Sequence, residues 1–470
     1  MSRVIVVGGG IGGLAAAALL GRAGHRVTLL EACGWLGGKS RRIELDGLRV
    51  DTGPAIVTFP GVWEEFLRRL DYVGGEPGEA AEIAGVRLRR LPEVGRYYYR
   101  DAVSSLPVEE GHPWRGAWER FVATHGGLGP EITGLLTADW HEPRLRPALW
   151  RLLRLYGARP TARAYLDSLP WLPGGLREVI AIHALNAGVS PSRTPALYAS
   201  MPAVMAVDGV WVPEGGVYEV VLGLERLAGH AGVELRTGEP VHRIEPGRVS
   251  TAEGTREADV VVSGLDADRL DALLDPGRKS APKRLSCSGV AVYAALREEL
   301  PAELPTHGVV LPSNPAALYE ELETGVEPKE TMAFVDYYRP GEPYPNDEEV
   351  LALGLTVPAN GREYDLDDAF VVREIERVSR AMRLPKPASE YFGEHRVLHP
   401  RYFGAWGSAG GALYGAARPF WMSGPLHRPR YSERGWLWRV GASVHPGGGI
   451  PAVLGGAMIS MSRLLRFLGK

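Results

Sequence analysis

Two hydrophobic periods alternate along this chain, and both are visible in its first thirty residues. Arg3-Val-Ile-Val-Val7 is a continuous β-branched run, the pattern of a strand covered on both faces. It breaks into Gly8-Gly9-Gly10-Ile11-Gly12-Gly13, and the Ala-rich stretch 14–23 that follows predicts a helix. A second strand is expected over 26–30, ending at Glu31. Val220, Val221, Leu224 and Leu227 recur at helical spacing and predict an amphipathic helix over 217–231. Further strands are expected at 48–51, 233–236, 241–244, 258–263 and 289–296. A strand over 435–441 should precede a closing helix that starts at Pro451.

These elements predict an α/β protein, α+β overall, with a Rossmann-like domain assembled from three separated segments, 1–71, 209–265 and 431–470. The intervening stretches 72–208 and 266–430 are too long to be loops. They are expected to pack together as one mixed, partly helical substrate domain.

The glycines between the first strand and helix have the spacing G-x-G-x-x-G. Gly8 permits the tight turn, Gly10 lets a pyrophosphate approach the backbone, and Gly13 lets the helix lie close to the sheet. The N–H groups at the helix start face the phosphates. Glu31 lies 18 residues past Gly13, where a carboxylate accepts hydrogen bonds from an adenosine ribose. Strand, glycines, helix, strand and acid in register predict a dinucleotide site.

Composition narrows the partners. The net charge of −3 over 470 residues offers no basic surface for nucleic acid, so none is expected. Two cysteines, Cys33 and Cys287, cannot build a disulfide framework, and no Cys/His cluster has metal-ligand spacing. A reducing cytoplasm fits, and no metal is expected. No uninterrupted apolar run approaches the ~20 residues of a membrane span. The stretch 144–166, however, carries six arginines and no acid. Leu149, Leu152, Leu153 and Tyr156 are expected on one helical face, Arg151 and Arg154 opposite, with Trp150 at the border. That pattern suits a helix lying on anionic lipid. It equally suits a packed helix with a solvated basic face.

Four motifs together, the N-terminal fingerprint, Asp51-x-Gly53-Pro54, Gly209-Val-Trp-Val-Pro-Glu-Gly-Gly216 and Val440-Gly-Ala-Ser-Val-His-Pro-Gly-Gly-Gly-Ile-Pro451, give the chain a family likeness. It resembles the phytoene desaturase-type carotenoid desaturases, FAD-dependent flavoproteins with an amine-oxidase-like fold. The resemblance implies that Gly8, Gly10, Ile11, Gly12 and Gly13 hold the FAD pyrophosphate, and that Glu31 and Ala32 hold the ribose. Gly38-Lys39 would take a G-G-R position; lysine keeps the charge but loses the planar fork. Gly53, Pro54 and Ala55 would run along the isoalloxazine ring, and the Val241 backbone would pair with adenine. Gly441, Ser443, Gly449, Ile450 and Pro451 would close over the ribityl chain and flavin. There the positive end of the closing helix favours an anionic reduced flavin.

The implied reaction is hydride transfer from an allylic carbon of a carotenoid to flavin N5, creating a C=C bond. The implied location is cytoplasmic, peripheral to the inner face of the cell membrane. His445, inside the C-terminal motif, is the candidate proton acceptor, with a structural loop histidine as the competing reading. His183 reads as a core histidine, Asp208 and Glu214 as residues flanking a turn, Asp336 as a strand end and Cys33 as a small loop residue. Rival activities are a carotenoid isomerase or a hydroxycarotenoid 3,4-desaturase of the same family. A flavin amine oxidase is disfavoured because Ala442, not an acid, follows Gly441. A non-catalytic prenyl-binding escort protein would lack the intact fingerprint.

Overall fold

The computed structural model describes residues 1–277, 284–342, 344, 348–422, 424–432 and 434–469. Five parallel strands form the first sheet in the order Glu234–Arg236, Arg26–Leu30, Arg3–Val7, Val260–Ser263, Leu437–Arg439. All three segments assigned to the Rossmann-like domain therefore contribute strands to it. The run 4–7 is uniformly buried because both faces are covered. Val4 and Val6 face the helices Ile11–Arg22, Glu219–His230 and Ile450–Phe467. Ile5 and Val7 face the three-stranded meander built from residues 241–257 and the helix Ala267–Leu274.

Ala15 to Ala18 are fully buried, and these small side chains let the first helix lie close to the closing helix. The closing helix, 18 residues with mean hydropathy 1.2, is long and apolar enough to span a membrane by length and composition, although Arg463 and Arg466 interrupt its apolar run. Here 56% of it is buried, packed against the first helix and helices Pro60–Gly74 and Gly129–Thr137.

The two insertions meet in a seven-stranded sheet. Phe392–Leu398, Ser288–Leu296, Val350–Val357, Ala333–Tyr338 and His307–Val310 come from the second insertion, and Gly95–Tyr99 and Ala102–Leu106 from the first. His307–Val310 and Gly95–Tyr99 join the two through a parallel pairing. Side chains alternate across this sheet. One face presents Val290, Val292, Val335, Leu351, Leu353 and Leu355 to the amphipathic helix Ala369–Ala381. The other face looks into a cavity.

The arginine-rich stretch holds the helix Arg146–Tyr156. Leu149, Leu152 and Leu155 pack inward around Tyr156, whereas Leu153 does not share that face. It stands 57% exposed beside Trp150 at 63%.

Candidate functional site

One cavity of about 850 Å³ runs between the two sheets and is lined by nearly all of the residues that the family resemblance assigns to the cofactor. Gly8, Gly10, Ile11, Gly12, Glu31, Ala32, Gly38, Lys39, Gly53, Pro54, Ala55, Val241, Gly441, Gly449, Ile450 and Pro451 all line it. The local geometry explains why glycine is required. A Cβ on Gly12 would sit 2.9 Å from the Gly441 nitrogen, so the first helix can meet the C-terminal segment only without a side chain there. Gly53 has φ +104°, and its Cβ would reach the Lys39 carbonyl oxygen at 2.3 Å. Gly10 differs: a Cβ there would meet no protein atom nearer than 3.9 Å. Protein packing does not demand that glycine, which keeps backbone bare at the cavity wall, as approach of a diphosphate requires.

The Glu31 carboxylate is fixed by two backbone donors, Gly9 N–H at 2.6 Å and Cys33 N–H at 2.8 Å. Each carboxylate oxygen retains a lone pair for ribose hydroxyls. Cys33 lines the same end, and burial, with Glu31 adjacent, pushes its thiol up to about 11, so it is no thiolate nucleophile. Lys39 donates to the Leu413 carbonyl at 2.7 Å and to Asp266 at 3.2 Å, tying the fingerprint region to the second insertion. At the opposite end, Gly53 N–H donates to the Tyr293 hydroxyl at 2.9 Å, and the first turn of the closing helix, Ile450 to Val453, abuts the cavity. These residues fit FAD. They offer bare backbone for the diphosphate, an anchored carboxylate for the ribose and a helix N-terminus for developing negative charge.

Three residues named from the sequence do not line the cavity. Gly13 serves packing, since its Cβ would lie 1.9 Å from the Gly8 carbonyl oxygen. Ser443 accepts a hydrogen bond from Ala267 N–H at 2.9 Å and so pins the turn into helix Ala267–Leu274. His445 is a corner post: its Nε2 accepts from Trp140 Nε1–H at 2.9 Å, and its carbonyl accepts from the Tyr431 hydroxyl at 2.8 Å. Burial, reinforced by the Arg463 charge, pushes this imidazole down to about 4. A neutral ring already engaged and outside the cavity is not placed to take a substrate proton. Asp208 and Glu214 also lie outside it.

Beyond the glycine strands the wall turns apolar, with Ile182, Leu185, Leu197, Met201, Met205 and Met332. Its floor is the open face of the seven-stranded sheet, paved with Gly289, Ala291, Ala352 and Gly354. A Cβ on Gly354 would have ordinary contact with Phe334 at 3.7 Å, so the glycine there makes space rather than relieving strain. Asp336, which lies inside the strand Ala333–Tyr338 rather than at its end, faces this space, and so does His183, a buried histidine as expected but one that also lines the cavity. Asp336 pairs with His307, directly opposite on the adjacent strand, and His183 Nε2 lies 3.0 Å from the Tyr97 hydroxyl. The sequence reading missed His307. Its only signal is period-2 alternation with Val309 in a four-residue strand, too short to stand out.

The family comparison agrees with this geometry. The model for flavin-containing amine oxidoreductases matches residues 11–414, and the chain belongs to that family. It is an FAD-dependent oxidoreductase. Among characterised relatives it is similar to the zeta-carotene-forming phytoene desaturase of Myxococcus xanthus, 29% identical over 98% of this chain and 94% of the relative. It is likewise similar to the hydroxyneurosporene desaturase of Cereibacter sphaeroides, 29% identical over 96% and 94%. Among solved structures, putrescine oxidase bound to putrescine shares the fold, with a TM-score of 0.64 at 15% identity over 100% of this chain and 99% of that one.

Proposed function

We propose that this protein is a carotenoid desaturase, introducing C=C bonds into a long polyene held in the apolar part of the cavity. The observation that carries the reading is the continuity of the glycine cradle with a floor of Gly289, Ala291, Ala352 and Gly354. A flat conjugated chain lies against such a floor without displacing a side chain. FAD held by the glycine cradle of residues 8–13 and by Glu31 would supply the two-electron acceptor, the hydride and the proton lost from adjacent carbons together converting it to FADH2. The chain's own residues orient the polyene and exclude water. Tyr293 fixes the Gly53 strand against the floor, and the methionines adapt to an irregular apolar ligand. The relatives named as phytoene and hydroxyneurosporene desaturases support the same substrate class.

The reading includes a peripheral membrane position on the cytoplasmic side, where such a substrate dissolves. Trp150 and Leu153 are exposed on helix Arg146–Tyr156, and Trp421 and Leu426 are 60% and 62% exposed. Gly424, between the latter two, packs on Trp140, which shares a cluster with Leu149 of that helix. Arg144, Arg151 and Arg163 pair with Glu142, Glu131 and Glu178, while Arg146, Arg154 and Arg159 make no ion pair among the described residues. Aromatic and leucine tips beside unpaired arginines suit anionic lipid headgroups. Failure of anionic liposomes to retain the protein at low salt would remove this part of the reading.

The test of function is anaerobic incubation of FAD-loaded protein with individual carotenoids in liposomes. Flavin bleaching with a longer-wavelength polyene product is the expected result. Isomerised product without flavin reduction would replace desaturation by isomerisation, and bleaching by amines alone would overturn the polyene reading.

A further inference from the structure

Beyond the cofactor cradle the cavity wall is mainly apolar, with scattered neutral polar groups such as Asn186 and Ser288, but Tyr97, His183, His307 and Asp336 form a cluster of titratable side chains that the proposed function leaves unused. Its position follows from the register. Tyr293, Ala352, Asp336 and His307 are direct neighbours across four adjacent strands. With strands ~4.8 Å apart, Asp336 lies about 10 Å and His307 about 14 Å across the floor from Tyr293, the residue holding Gly53. The cluster therefore sits beyond the stretch of floor nearest the cofactor cradle.

Its chemistry is equally specific. His307 Nδ1 is engaged by the Asp336 carboxylate, and its ring stacks on Phe334 with centroids 5.8 Å apart. Among the described residues its Nε2 has no hydrogen-bond partner, although the ring lines the cavity. Burial pulls this imidazole down, but the Asp336 carboxylate outweighs burial and holds the proton above the ordinary histidine range. Burial and the nearby His307 drive His183 down to about 3, so it stays neutral beside Tyr97. His307 Nε2 is thus an anchored ring nitrogen, a donor whenever the Asp336-held imidazole carries its second proton, presented to a hydrocarbon space. A pure hydrocarbon filling that space would leave the donor buried and unpaired, a cost of roughly tenfold or more in affinity.

We infer that the His307–Asp336 pair, with Tyr97 and His183 beside it, is a recognition site for an oxygen function, hydroxyl or carbonyl, on the polyene. The inference rests on the polyene reading and narrows it: the preferred substrate carries oxygen at a position about 10–14 Å from the reacting segment. Donation from His307 Nε2 to that oxygen fixes how far the chain slides along the floor, and hence which bond is presented. Asp336 acts through His307 by holding its tautomer and charge.

The experiment uses FAD-loaded protein with the flavin kept reduced, so that binding is read without turnover by quenching of tryptophan fluorescence. Three carotenoids of equal chain length are compared: a hydrocarbon, a terminal alcohol and a terminal carbonyl compound. One or both oxygenated ligands should bind at least about tenfold more tightly than the hydrocarbon. In His307→Phe that preference should vanish through weaker binding of the oxygenated ligand, with hydrocarbon affinity unchanged or improved. Asp336→Asn, which keeps the shape, should reduce the preference in the same sense. Equal affinities in the unaltered protein overturn the inference, with no variant needed; so does a His307→Phe loss that is the same for all three ligands. Absence of quenching by every carotenoid, with FAD still bound, is the distinct result that overturns the polyene reading itself.

Discussion

The two ends of the cavity make room by different means. At the cofactor end, space comes from backbone conformation: Gly8, Gly38, Gly53 and Gly441 all have positive φ, and Gly12 and Gly13 admit main-chain approaches that a methyl group would block. At the substrate end, space comes from side-chain size on an ordinary extended sheet, where Gly354 and Gly289 adopt no special conformation and a Cβ would find ordinary contacts. The first kind of space is rigid and unforgiving. The second is adjustable, one residue at a time, without disturbing the fold.

That contrast makes graded predictions. Gly13→Ala drives a methyl group into the Gly8 carbonyl, 1.9 Å away, so it should cost about 3 kcal/mol or more and yield colourless protein, read as flavin absorbance per chain. Gly354→Leu, by contrast, should keep its flavin and its melting temperature while kcat/KM for the polyene falls on the order of 100-fold. Loss of flavin in Gly354→Leu would erase the distinction between the two ends.

A third prediction concerns the brace between them. Asp139, beside the helical insertion, accepts from Arg463 of the closing helix at 2.6 and 2.7 Å, and that pairing holds its carboxyl below the usual carboxylate range. A depressed native pKa stabilises the fold above the unfolded value of about 3.9 and loses that contribution as pH falls through the native value. Melting temperature should therefore drop more steeply below about pH 4 in the unaltered protein than in Asp139→Asn. The smallest effect is expected at His445. His445→Gln can still accept from Trp140, so the pH–rate profile between about pH 6 and 8 should not move. A lost alkaline or acid limb would return His445 to the chemistry.

The same contrast explains what could be read from the sequence. Gly8, Gly10 and Gly13 announce themselves because backbone demands are met by one residue type at fixed spacing, and Glu31 by its place at the end of the second strand. The continuous run 3–7 marks a doubly covered strand for the same reason. The floor is silent: Ala352 and Gly354 look like any small residues in a strand, and their meaning depends on which face the cavity occupies. Asp336 and His307 are 29 residues apart in sequence and become partners only through antiparallel register. Leu153 falls on the exposed side because the rotation of its helix is set by Leu149, Leu152, Leu155 and Tyr156 packing on residues distant in sequence, which helical spacing alone does not reveal.

The abutment of Gly12 on Gly441 has a consequence for biosynthesis. One wall of the flavin compartment leaves the ribosome more than four hundred residues before the facing wall. Until Gly441 has emerged a growing chain has no complete compartment to fill, so the pigment is acquired only after that point. Polypeptides cut short before the final strand should accumulate without colour, however sound their amino-terminal half.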